Sequence, residues 1–299
     1  PSYTSWPNAN ENGRRSSDDI THTVKLMYRL NDQSMFYVSH ATGYKPEFLN
    51  ANFSKTVIDA RGESSTSIEL GYKGSFENGF LSIALYELAV DDFQINVFEG
   101  GGFRVTNAGE EVHRGVEIDS GFALNENLMV GFSAAYTDAE YEEYLEGVCA
   151  SALTLSLTDP SYAPFFADVA CTGVNAAGSS IKDLSGTTPT GVPELAFNLN
   201  LTYGFNLGQT EGYARLEYYF EDEYAITDSV PASVASREAD DINASIGLEN
   251  DGWIFNFWGR NLTDNEYMIS AAPAPIAFGS FFGYYANPRT FGLSITKKL

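Results

Sequence analysis

From Gly191 to Thr296 the chain repeats one kind of segment: about ten residues of strict apolar/polar alternation, closed by a short polar turn or a longer loop. Leu195, Phe197, Leu199, Leu201 and Tyr203 are large and apolar, while the interleaved Ala196, Asn198, Asn200 and Thr202 are small or polar. Phe291, Leu293 and Ile295 stand in the same relation to Thr290, Gly292, Ser294 and Thr296. Successive side chains of a β-strand point to opposite faces, so each segment presents one face to an apolar medium and one to a polar medium. A transmembrane β-barrel and a soluble sandwich both satisfy that pattern.

The connections separate the two. Alternation places strands at 19–30, 34–43, 64–75, 79–96, 112–124, 128–141, 191–207, 212–223, 239–249, 252–263 and 285–297. Short connections at Asn31–Ser34, Ser75–Asn78, Asn125–Asn127, Leu207–Glu211 and Asn250–Asp251 alternate with long ones at 44–63, 97–111, 142–190, 224–238 and 264–284. Outer-membrane barrels keep short periplasmic turns and long extracellular loops, whereas a sandwich has no reason to maintain the alternation. The expected fold is therefore all-β: a transmembrane antiparallel up-and-down β-barrel, with about eleven strands in this chain. An odd, open set of strands cannot close a bacterial single-chain barrel. The chain reads as the C-terminal half of a 22-strand barrel, with the preceding strands elsewhere and residues 1–18 in an extracellular loop.

Composition fits a half-polar wall. Aromatic residues make up 14%, with 18 Tyr and 21 Phe. They cluster at Tyr218–Tyr219–Phe220, at Trp253, Phe255 and Phe257, and at Phe281–Phe282 with Tyr284–Tyr285, where interfacial girdles are expected. A net charge of −23 argues against nucleic acid as a partner. The acids gather in the proposed loops, at Asp91–Asp92, Glu140–Glu146, Glu221–Glu223, Glu238 and Asp240–Asp241, as a solvated rim. They lack the spacing of an EF-hand calcium loop, and no metal or cofactor site is expected. Gly100–Gly101–Gly102 lacks the strand-to-helix setting of a nucleotide loop and reads as a loop tip. Cys149 and Cys171 share the longest loop and read as a disulfide staple formed in an oxidising periplasm. His22, His40 and His113 lie in no nucleophile motif, so no enzymatic activity is expected.

Four segments resemble one family. Ser67–Lys73 followed by Leu81–Tyr86 is similar to the E-x-G-x-K strand pair of TonB-dependent outer-membrane receptors. Val105–Gly109 with Arg114–Ile118 is similar to that family's N-A-G … G-x-E segment. Gly259–Tyr267 resembles its N-L-T/F-D-x-x-Y motif, and Asn287–Leu293 resembles the opening of its final strand. Together they cover nearly the whole chain. The resemblance implies a Gram-negative outer-membrane receptor that takes up a scarce small ligand of the siderophore-iron, cobalamin or oligosaccharide class. It implies a plug domain inside the barrel and an inner-membrane TonB complex, engaged through an N-terminal region, as partners beside the outer-membrane lipid. A passive porin-like channel or a barrel-anchored adhesin is the alternative.

Glu69, Lys73, Glu117, Asp119, Arg215, Glu217, Asn243, Asn256 and Arg260 are the expected lumen-lining residues, in a register where a one-residue slip turns them toward lipid. Gly71, Gly115, Gly131 and Gly292 fall at inward positions, where a missing side chain lets a neighbour approach. Asn261 and Asp264 are expected to cap the turn after their strand. Loop aromatics are the expected ligand contacts: Tyr44, Phe48 and Phe53; Tyr162, Phe165 and Phe166; and Phe278, Phe281 and Phe282.

Overall fold

The computed structural model describes residues 17–50, 58–99, 102–148, 173–174, 180–274 and 280–298. Eleven strands form one antiparallel sheet in chain order: β1 (Thr23–Asn31), β2 (Ser34–Lys45), β3 (Glu63–Phe76), β4 (Gly79–Asp91), β5 (Glu110–Ala123), β6 (Leu128–Glu143), β7 (Leu195–Leu207), β8 (Thr210–Ala225), β9 (Ser236–Asn250), β10 (Trp253–Arg260) and β11 (Thr290–Lys297). Every neighbour in the sheet is also the neighbour in sequence, and β1 and β11 are its edges. An open edge in lipid leaves backbone groups unsatisfied, as expected for a sheet that is one part of a barrel wall. Among the described residues there is no helix.

Cross-strand partners directly opposite one another share a face. The register therefore extends one apolar face along the wall through Leu26, Val38, Leu70, Leu85, Val116, Ala134, Phe197, Leu216, Ile246, Phe255 and Ile295. Many of these large side chains are exposed, including Leu26, Leu70, Leu85, Ile246 and Phe255. Their solvent is lipid. On three strands this face turns charged toward the long-loop end, at Glu87, Arg114 and Asp138, which are paired in register. Arg114 bonds Glu87 at 2.7 Å there. That step from aliphatic to charged marks the outer border of the apolar band.

Five short turns and five long connections alternate as the sequence predicts. Two differences matter. The strand expected over 79–96 stops at Asp91, because Asp92 adopts a left-handed φ of 53° and residues Gln94–Glu99 leave to form a separate hairpin with Gly102–Asn107. The strand expected over 252–263 stops at Arg260, where Asn261 has φ 50°. Small hairpins also occupy the first and last long connections, Phe48–Asn50 with Ile58–Ala60 and Met268–Pro273 with Phe281–Tyr285. Residues 1–16 and the tip at 100–101 lie outside the described residues.

Conventional packing is concentrated at the long-loop end. Ala108, Tyr141, Tyr144 and Leu184 form a buried cluster with Phe93 and Ile95 against it. This accounts for the N-A-G segment. Asn107 donates to the carbonyls of Asp92 (2.6 Å) and Arg61 (3.1 Å) and accepts from the Arg61 amide, tying two loops together. Ala108 is fully buried, and a Cβ on Gly109 would collide with the Glu143 carbonyl.

Candidate functional site

The second face of the sheet is polar and concave. All nine expected lumen-lining residues share it, by the pairings Glu69↔Tyr86↔Gly115, Lys73↔Ser82↔Asp119, Ala84↔Glu117, Asn200↔Glu217↔Asn243, Thr202↔Arg215↔Ser245, Gly247↔Asn256 and Arg260↔Thr290. They fall into two groups.

The first is built around Tyr37. Its hydroxyl donates to Glu69, its ring lies where a Cβ on Gly71 would be, and the ammonium of Lys73 stands 5.7 Å from the ring centroid. Residues two apart in a strand share a face, so Glu69, Gly71 and Lys73 line up as one socket for this ring: an acceptor, a space and a cation. The E-x-G-x-K pattern has that physical content. The Lys25 ammonium stands closer to the same ring, 3.9 Å from its centroid. Glu117 and Asp119 complete the group, Asp119 accepting from Ser133 at 3.1 Å, and the hollow they share measures about 510 Å³.

The second group occupies β7 to β11 around a hollow of about 330 Å³. Arg215 pairs with Glu217 at 2.5 Å and donates to Asn200 at 3.3 Å. Asn256 accepts from the Tyr213 hydroxyl at 3.2 Å, and the Arg260 guanidinium stacks 5.0 Å from Trp258. Asn243 accepts the Asn261 amide at 3.0 Å.

Tyr37 over Gly71 is one of five opposed aromatic–glycine pairs on this face. The others are Phe80 with Gly121, Tyr86 with Gly115, Tyr213 with Gly247 and Trp258 with Gly292. In each, the ring occupies the space that a glycine Cβ would need. Gly131 differs, since a Cβ there would meet only ordinary contacts.

Farther along the same face, toward the long-loop end, stands a group the sequence reading did not single out. Arg237 bonds Glu221 at 2.6 Å and faces the rings of Tyr224 (5.9 Å) and Tyr267 (5.1 Å). The Tyr219 hydroxyl donates to Glu221, and that of Tyr267 donates to Asp241 at 2.8 Å. Burial, and then the bond to Asp241, push the Tyr267 phenol up to about 12. Tyr219 was expected in a girdle, but its neighbours Tyr218 and Phe220 face the apolar side while Tyr219 faces inward, as the period of two requires. A sequence signal existed: Arg237 is the one cation between Glu221 and Asp241.

The loop aromatics are not gathered together. Tyr44 belongs to β2, not to the loop after it, and a Cβ on Gly62 would strike its ring. Phe48 sits half-exposed on the first hairpin, while Phe281 and the half-exposed Phe282 sit on the last, near the other edge of the sheet. Tyr284 and Tyr285 share that hairpin, so this cluster lies on a loop and forms no girdle. Tyr162, Phe165, Phe166, Phe53, Phe278, Cys149 and Cys171 lie outside the described residues.

A family model described as "TonB dependent receptor-like, beta-barrel" matches residues 2–262. The chain belongs to the TonB-dependent receptor family. Its fold is that of solved outer-membrane receptors: the ferric yersiniabactin uptake receptor FyuA of Yersinia pestis (15% identity, TM-score 0.66, covering 91% of this chain and 36% of that one) and the siderophore receptor PiuA of Acinetobacter baumannii (16%, 0.66, 92% and 35%). The copper transporter OprC is similar at 14% identity and TM-score 0.59, covering 92% and 38%. This TonB-dependent receptor chain thus spans little more than a third of the structures it matches, as an open wall of an outer-membrane barrel.

Its two most distinctive terminal motifs form one unit. Asn261 is 7% exposed, donates to the carbonyls of Asn265 (2.9 Å) and Asn287 (3.1 Å), and accepts from the Asn265 amide (2.8 Å) and the Thr263 hydroxyl (3.2 Å). Asp264 accepts the amide and guanidinium of Arg289 at 3.2 and 3.0 Å. The N-L-T-D turn and the N-P-R entry to β11 hold each other in place.

Proposed function

We propose that this chain is the C-terminal part of the barrel of a TonB-dependent receptor. The complete protein would import a scarce small ligand across the outer membrane with energy from the TonB complex. The reading rests chiefly on the family match, joined to a wall whose outer face is apolar and whose inner face is concave and polar. In it a plug domain fills the concave side and engages TonB through an N-terminal region, both contributed by sequence outside this chain. Glu69, Lys73, Glu117, Arg215, Glu217, Asn256 and Arg260 line the passage and meet the plug or the ligand. Tyr44, Phe48, Tyr162, Phe165, Phe281 and Phe282 meet the ligand from the loops, and a Cys149–Cys171 bridge staples the longest loop. Names such as ferric yersiniabactin uptake receptor and siderophore receptor, carried by similar structures, favour a metal chelate as ligand; cobalamin and oligosaccharides are the further classes.

The test is accumulation of labelled ferric siderophores, cobalamin and oligosaccharides by cells producing the full-length protein, with and without a protonophore. Concentrative uptake of one ligand that collapses when the membrane is de-energised is expected. Uptake that persists without energy, with steady conductance in planar bilayers, would instead identify a passive channel.

A further inference from the structure

The connection between β8 and β9 does not stand away from the wall. Residues 226–235 close on themselves, with the Ile226 amide on the Ala235 carbonyl at 3.0 Å and the Val234 and Ala235 amides on the Pro231 carbonyl at 2.9 and 3.0 Å. Val230 and Ala235 are buried. The segment reaches past β7 to the ends of β5 and β6, where it brings Asp228 beside Tyr141 and Glu111, two residues of the inner face.

That place is apolar. Tyr141 and Tyr144 are each 1% exposed, with ring centroids 5.0 Å apart, and Ala108 and Leu184 pack on them. Glu111, 4% exposed, gives one oxygen to His113 Nε2 at 2.5 Å, while its Oε2 is buried without a hydrogen bond. Asp228 likewise has a buried, unbonded Oδ2. The Tyr141 hydroxyl is within hydrogen-bonding reach of the Asp228 carboxylate, and Lys182 attracts its charge from the neighbouring loop. Glu111 and Asp228 thus meet beside this cluster, Lys182 attracts the Asp228 carboxylate, and each acid has a buried oxygen without a hydrogen bond among the described residues. Such an arrangement favours the uptake of one proton.

We propose that residues 226–235 are a proton-linked lid, docked over the long-loop end of the inner face more tightly when Asp228 is protonated and more loosely when Asp228 is ionised beside Glu111. Protonation removes both the cost of burying the charge and the repulsion from Glu111. Burial is the larger cause, and it lifts the Asp228 carboxyl from 3.8 to about 6 against the opposing pull of Lys182. Because the docked value lies above the free one, the docked state binds the proton more tightly. Docking is therefore strongest below pH 3.8, weakens as pH rises to about 6, and is constant above that. A shift of this size corresponds to an opening constant about tenfold larger at pH 7.5 than at pH 5.

Hydrogen exchange of the full-length receptor in lipid, corrected for the intrinsic pH dependence of exchange, reads the lid directly and requires no ligand. Opening of 226–235 is expected to rise about tenfold between pH 5 and 7.5, with no matching change at the 207–210 turn. Asp228→Asn, uncharged at both values, is expected to keep the lid protected throughout, and Glu111→Gln to reduce the rise. His113→Gln is expected to preserve it. Equal opening of the wild type at both pH values would overturn the proposal. So would a tenfold rise retained in Asp228→Asn, or one abolished by His113→Gln, which would move the switch to the histidine.

Discussion

Replacing Asn261 by Ala tests whether the turn after β10 is held by its side chain and its backbone together. The side chain makes four hydrogen bonds, to groups of Thr263, Asn265 and Asn287, from a site that is 7% exposed. At about 1 kcal/mol net for each bond, their loss costs about 3 to 4 kcal/mol, since Thr263 can turn its hydroxyl elsewhere. Alanine also meets a left-handed φ of 50°, which asparagine tolerates, adding about 1 kcal/mol. The sum is about 4 to 5 kcal/mol. Asn261→Gly removes the bonds but not the permitted backbone, so it should fall about 1 kcal/mol short of that. Guanidinium titration of the full-length receptor in lipid vesicles would measure both, with Trp253 and Trp258 of the adjoining strand as fluorescent reporters. An Ala variant within about 1 kcal/mol of wild type would refute the role of the side chain, and equal Ala and Gly variants would refute the role of the backbone.

Leu70→Arg places a cation in the apolar band and should cost about 2 to 4 kcal/mol, whereas Leu70→Met should be near neutral; unfolding from vesicles distinguishes them. Gly71→Val displaces the Tyr37 ring from Glu69 and Lys73 and should destabilise by about 1 to 3 kcal/mol, while Gly131→Ala, whose Cβ meets only ordinary van der Waals contacts, should cost under 1 kcal/mol in the same titration. The raised Tyr267 phenol contributes stability that is complete below pH 10 and is lost as pH rises through about 12. Protection of amides 261–267 should therefore fall over that window in wild type, and Tyr267→Phe should remove the dependence.

The eleven strands were legible because two contrasting solvents write a period of two into every crossing. Where both faces change together the period loses its meaning. The alternation of β4 runs on into Gln94–Glu99, since a hairpin that packs on a loop core is also half-buried, and only the left-handed Asp92 marks the break. Motifs such as Glu69–Gly71–Lys73 and Asn261–Asp264 were visible as patterns, but their partners, Tyr37 and Arg289, come from other strands, and register alone reveals them. The inner face could be read residue by residue from alternation. The Arg237 group and the Asp228 contact could not, because each depends on where a long connection folds back, and loop sequence carries no period to say so.

The aromatic–glycine pairs have a consequence for what can move past this wall. A tyrosine or tryptophan on the concave side would ordinarily stand upright and narrow the bore by the full length of its ring. With glycine on the next strand the ring lies down along the sheet, presenting a flat face and leaving the cross-section open. The wall can thereby carry large aromatic side chains on its polar face while that face stays flat.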